Sequence, residues 1–240
     1  MHQGGNRVLS RWYDPILIVG IERTLPARLA ALLHALGVDI HPVPLHLDAE
    51  VTRWEDHEMR QYLMKLLSGQ MSLRTFNLRV AILSEQRRRA AQPWAMASSY
   101  IADVLLPVLS HYLNPSVLWC QCATADATAL LLSVQPPTEE WAPSDAMALC
   151  TRRHQALTRW LDDYRVLPVH AQDILHGDGQ VIDQVVEFCG LTPTAEHLYQ
   201  ASVLWSSHEG ICDAKEENAS VEDEYALRDR NGHASQRQEG

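Results

Sequence analysis

Every position from Ile16 to Val19 is apolar, and from Leu25 onward the apolar positions change their period. Four apolar residues in a row form the pattern of a strand covered on both faces, as in a parallel sheet. Leu25, Leu29, Leu32, Leu33 and Leu36 then recur at the spacing of one helix face, with Gly37 placed as the cap. The segment "ILIVGIERTLPARLAALLHALGVD" (16–39) therefore predicts strand, turn and helix. "DIHPVPLHLD" follows as an extended loop interrupted by proline. Helical spacing returns from Trp54 to Leu67, and again in "MSLRTFNLRVAILSEQRRRAA", whose end is basic. "SSYIADVLLPVLSHYL" predicts one amphipathic helix leading to the Asn114-Pro115 turn.

"SVLWCQC" (116–122) predicts a second strand and "ADATALLLSVQ" the helix after it. "PPTEEWAPSD" is a surface loop, "AMALCTRRHQALTRWLDDY" a long amphipathic helix and "RVLPVHA" a third strand. "HGDG" (176–179) predicts a turn, and "DGQVIDQVVEFCGL" a last helix capped by Gly190. Strands alternating with helices imply an α/β fold with a parallel sheet and helices on both faces. Strand 16–19 is expected at the centre, 116–121 beside it and 165–169 further out. The 240 residues suffice for one such domain, over 1–212. Residues 213–240 offer few large apolar side chains and mixed charge, which predicts a disordered tail.

Charge narrows the functions. The net charge of −10, of which −4 lies in residues 213–240, argues against nucleic acid and against an anionic membrane surface. No apolar run approaches the roughly 18–20 residues of a membrane span. The opening "MHQGGNRVLSRWYDP" lacks a hydrophobic signal core, so export is not expected. The five cysteines form no CxxC pair, which suggests reduced, buried thiols and a cytoplasmic location. The twelve histidines show neither HxxxH nor HExxH spacing, so no metal site is expected.

The order of elements and several short stretches resemble the family of sulfotransferases that use 3′-phosphoadenosine 5′-phosphosulfate (PAPS), in its bacterial branch. The family opening GxPRSGTSLLxxLLxxLG aligns with "GIERTLPARLAALLHALG", keeping Gly20, Arg23 and the leucine spine. "TRWEDHEMRQYLMKLL" matches an aromatic-acidic helix start at Trp54, Glu55 and Asp56. "VHAQDILHGDGQVIDQVVEFCGL" (169–191) is similar to the later VRYEDLL…FLGL pattern. The likeness runs to about residue 206 and implies a three-layer, P-loop-like parallel sheet flanked by helices. It also implies Arg23 and Thr24 as contacts to the donor's 5′-phosphate, and Glu55 as the base taking the acceptor hydroxyl's proton.

The residues do not supply the rest of that donor site. A phosphate loop aims backbone N–H groups and hydroxyls at the anion. Here Leu25 opposes a glycine conformation, Pro26 has no N–H and Ala27 no hydroxyl. Thr24 and Pro26 suit equally a helix cap and first turn. Where the family places Arg and Ser for the 3′-phosphate, this chain has Cys122 and Leu130, with Thr128 and Ser133 out of step. A further basic stretch of the family falls on Ala97, Ser98, Ser99 and Tyr100. Losing contacts of this kind weakens binding by about 4–6 kcal/mol, or roughly three to four decades. Arg87, Arg88 and Arg89 are either a relocated phosphate site or a solvated helix end matching the dipole.

Two functions follow from the resemblance. One is a non-catalytic pseudoenzyme that binds a protein or small-molecule partner and no cofactor tightly. The other is a divergent sulfotransferase moving a sulfuryl group from PAPS to a hydroxyl of a carbohydrate, peptide or small metabolite. One expectation concerns the tail alone. A chain truncated after Cys212 should melt within about 5 °C of the full chain, because residues 213–240 bring little apolar area to bury. A larger fall in a calorimetric scan would show that the tail docks.

Overall fold

A computed structural model of the chain describes residues 14–21, 24–41, 54, 56–90, 92–98, 100–133 and 142–206, Thr24 and Leu106 by their backbone alone. Arg23, Glu55 and the tail from 213 lie outside the described residues. The sheet has four strands: β1 (Ile16–Gly20), β2 (Ala95–Ala97), β3 (Ser116–Gln121) and β4 (Arg165–His170). They run in the order β2-β1-β3-β4 and every pairing is parallel. The three strands expected from the apolar runs occupy the expected places, with β1 inside the sheet and β4 at its edge.

Side chains alternate across the sheet because successive residues of a strand point to opposite faces. Ile16 and Ile18 enter one core with Ala95, Ala97, Leu118 and Cys120. Against them pack α1 (Thr24–Ala35), α7 (Ala171–His176), α8 (Gln180–Cys189) and α9 (Ala195–Ser206). Leu17 and Val19 enter the other core with Trp94, Met96 and Val117. That face is covered by α2 (His57–Leu67), α3 (Leu73–Arg89), α4 (Leu105–Leu109), α5 (Thr124–Ser133) and α6 (Pro143–Leu161). All five residues of β1 are buried.

Four elements depart from the sequence reading. β2 is only three residues, Ala-Met-Ala, a composition with little strand preference. It forms because its partner β1 presents an unpaired edge, and because Ala95 and Ala97 keep the α1 side thin. The helix expected over 98–113 breaks into a 3-10 turn, Ile101–Asp103, and the five residues of α4. Pro107 has no N–H to reach back one turn, so the helix restarts with the proline in its first turn. α7 and α9 were not foreseen. Pro168 within β4 is tolerated because an edge strand can do without a ladder donor.

The basic end of α3 is a further correction: Arg87 is buried, with 4% of its surface exposed. Its guanidinium pairs with the wholly buried Asp56 and stands 5.5 Å from the Trp94 ring centre. Asp56 in turn caps α2, accepting the Met59 N–H at 2.8 Å, while its own N–H donates to the Ala97 carbonyl at 2.6 Å. One carboxylate thus joins α2, α3 and the end of β2. Burial pushes the Asp56 carboxyl up from its ordinary range, and the Arg87 charge and the Met59 N–H pull it back down. Arg88 and Arg89 pair with Glu85 on the same helix, at 3.9 and 3.2 Å.

Removing one member of such a pair strands the other charge in the core. Arg87→Met should lower stability by about 3–5 kcal/mol in urea denaturation. Adding Asp56→Asn should recover most of that loss, since asparagine still caps α2. A loss below about 1 kcal/mol for the single variant would mean that water reaches Asp56.

Candidate functional site

In open parallel sheets ligands bind beyond the carboxyl ends of the strands, where the strand order reverses. Here the reversal lies between β1 and β3, so the turn after Gly20 and the turn after Gln121 define the place. Thr24 is the first residue of α1 and Pro26 lies in its first turn, as the helix-start reading expects. Leu25, Pro26 and Ala27 are all buried. A Cβ built on Gly20 would stand 2.6 Å from Pro26 Cγ and 3.3 Å from Cys120 Cβ. The pyrrolidine ring therefore lies against the strand end, and glycine is required there by the closeness of that ring.

Over the other face of the same strand end lies Arg153 of α6, 5% exposed. Its Nη1 donates to the Ile21 carbonyl at 3.0 Å. Nε and Nη2 donate to the Asp103 carboxylate at 3.2 and 2.6 Å. Asp103 is available because Pro107 broke the expected helix and left it at the end of the 3-10 turn. Arg152 joins the same carboxylate at 3.3 Å. The buried cation beside β1 is thus neutralised by a neighbour and holds α6 to the sheet.

The second turn opens on a cleft of about 320 Å³ lined by Trp119, Gln121, Cys122, Ala123, His154 and His170. The register explains the grouping. Trp119 lies opposite Pro168 and Gln121 opposite His170, on the sheet face covered by α6. α6 supplies His154, one residue beyond Arg153. Ala123 begins α5, its carbonyl accepting the Ala127 N–H at 2.9 Å.

Several sequence-level candidates are otherwise engaged. Thr128 Oγ1 donates to the Thr124 carbonyl at 2.7 Å, and Ser133 Oγ to the Leu130 carbonyl at 2.8 Å, both within α5. Ser98 is buried and accepts the Tyr100 N–H at 3.3 Å. Arg87 is held by the buried Asp56 at the end of β2. His154 and His170 stand at no ligand spacing in the sequence. The only signal in the chain was that His170 ends a strand.

Cys120 and Cys150 are buried and Cys122 and Cys189 half-buried, and no disulfide joins any two of these four. Burial pushes the Cys189 thiol up to about 12, which keeps it protonated and unreactive. Among the described residues no group of three or more His, Cys, Asp or Glu is placed to hold a metal ion. No described helix is long and apolar enough to cross a membrane. Comparison of the chain with family models, with curated proteins and with solved structures returns no match.

The contact of Pro26 with Gly20 is testable. Gly20→Ala should destabilise the chain by about 1–3 kcal/mol through overpacking. In the double variant with Pro26→Ala the penalty should shrink, because the ring it meets is gone. Equal penalties in both backgrounds, by denaturant melts, would place the strain elsewhere.

Proposed function

We propose that this chain is a sulfotransferase-like protein that no longer uses the sulfate donor, and that it acts as a binding module rather than as a transferase. The observation that carries the reading is the Pro26 ring lying against Gly20. A 5′-phosphate held at this turn would need inward N–H groups from the first residues of the helix. The first turn instead buries Leu25, Pro26 and Ala27, an apolar surface.

Two further features support it. Arg153 lies beside the end of β1, but Asp103 and the Ile21 carbonyl occupy its donors. Cys122, at the place of the family's 3′-phosphate arginine, lines the cleft without a positive charge. A reducing, cytoplasmic setting fits four cysteines of which no two are joined by a disulfide.

Calorimetric titration of the full chain with adenosine 3′,5′-bisphosphate tests the reading. No binding tighter than about 1 mM is expected. Micromolar binding abolished by Arg23→Ala would overturn it in favour of an active sulfotransferase. Glu55 would then be the base to replace, with loss of turnover on a hydroxyl acceptor as the readout.

A further inference from the structure

The cleft beyond β3 and β4 has walls that the closed β1–α1 turn does not explain. Gln121 and His170 are register partners on one wall, and α6 carries His154 to the other. The Trp119 and His154 rings stand with centroids 6.4 Å apart, inclined by 45°. Trp119 Nε1 and His154 Nδ1 are both shut off from water, and neither has a hydrogen-bond partner. Buried polar atoms are nearly always paired, and one left alone is costly. Two of them on rings that line one open cleft exceed what packing requires. The last side-chain torsion of Trp and of His is soft, so a modest ring rotation presents either nitrogen to the cleft.

The lining dictates what such a cleft accepts. The indole N–H only donates, each imidazole has a donor nitrogen in either tautomer, and Gln121 donates through Nε2. Among the described residues the lining holds no carboxylate, Lys or Arg, so there a cation finds no counter-charge while an acceptor-rich ligand finds several donors. Asp126, exposed in the first turn of α5, disfavours a second negative charge at the lip where that helix begins. The flat rings of Trp119 and His154 suit a flat ligand. A volume of about 320 Å³ is at the small end of ligand clefts. The geometry points to a site for a small planar monoacid, an aromatic or heteroaromatic carboxylate. Its carboxylate is held by Gln121 and the two imidazoles, and its ring rests against Trp119. This assignment rests on the chain being a binding module, but not on the closed turn at Gly20.

Sodium benzoate, benzamide and inorganic phosphate are the probes, each titrated into the full chain by calorimetry. Benzoate should saturate the protein with a Kd of about 1 mM or tighter, with benzamide and phosphate each weaker by about tenfold or more. The indole N–H resonance of Trp119, assigned through Trp119→Phe, should shift with the same constant. His170→Ala, at the exposed end of β4, and Gln121→Ala should each weaken benzoate by about fivefold or more. No saturation by about 10 mM benzoate, equal binding of benzamide, or unchanged affinity in both variants overturns the proposal. Silence toward both benzoate and adenosine 3′,5′-bisphosphate overturns the assignment of the cleft alone. Micromolar bisphosphate binding with benzoate silent overturns the binding-module reading as well.

Discussion

β1 meets water on none of its sides, and the rest of the domain is arranged to make that possible. Its backbone groups are taken by β2 on one edge and β3 on the other. Its side chains divide between two cores, each needing its own helical layer. An unpaired amide or a polar side chain at any of these positions would cost several kcal/mol, so the strand is apolar throughout. Placing β2 on one edge and β3 on the other forces the chain to reverse its direction across the sheet. The reversal leaves the carboxyl ends of β1 and β3 side by side beneath diverging helices, the position where open α/β sheets usually bind ligands.

Along that edge of the sheet the polar groups mainly bind one another. Arg153 and Asp103 clamp α6 and the 3-10 turn over the end of β1, and Arg87 and Asp56 tie α3 and α2 to the end of β2. Arginine suits the first place, because the planar fork of Arg153 reaches the Asp103 carboxylate and the Ile21 carbonyl at once. A phosphate would have to compete with an aspartate already seated on each guanidinium. Past these two clamps, between β3 and β4, the edge stays open, and there the lining is imidazole, amide, thiol and indole.

Legibility in the sequence followed periodicity. β1, β3 and β4 could be read because apolar runs between helical periods have few other meanings, and α1 because its leucines keep one face. β2 could not: Ala95 and Ala97 become strand residues only because β1 offers its edge. The broken helix over 98–113 was half legible, since Pro107 was visible but its effect depended on Val104 and Asp103 leaving the helical path. Arg87 looked like a solvated helix end because its partner, Asp56, lies 31 residues away in the chain. Of the candidate site residues, Thr24 is the first residue of α1.

Local pattern by itself determined the α/β class, the buried central strand and the leucine face of α1. Those properties depend on neighbours within a few residues: side-chain period, proline's missing N–H, glycine's missing Cβ. The pairing of strands 2-1-3-4, the burial of Arg87 and Arg153 and the meeting of His154 with His170 depend on contacts between distant segments. Single-residue identity cannot encode them, because an arginine or histidine suits water as well as it suits a buried partner. Which of the two it receives is decided only when the helical layers close on the sheet.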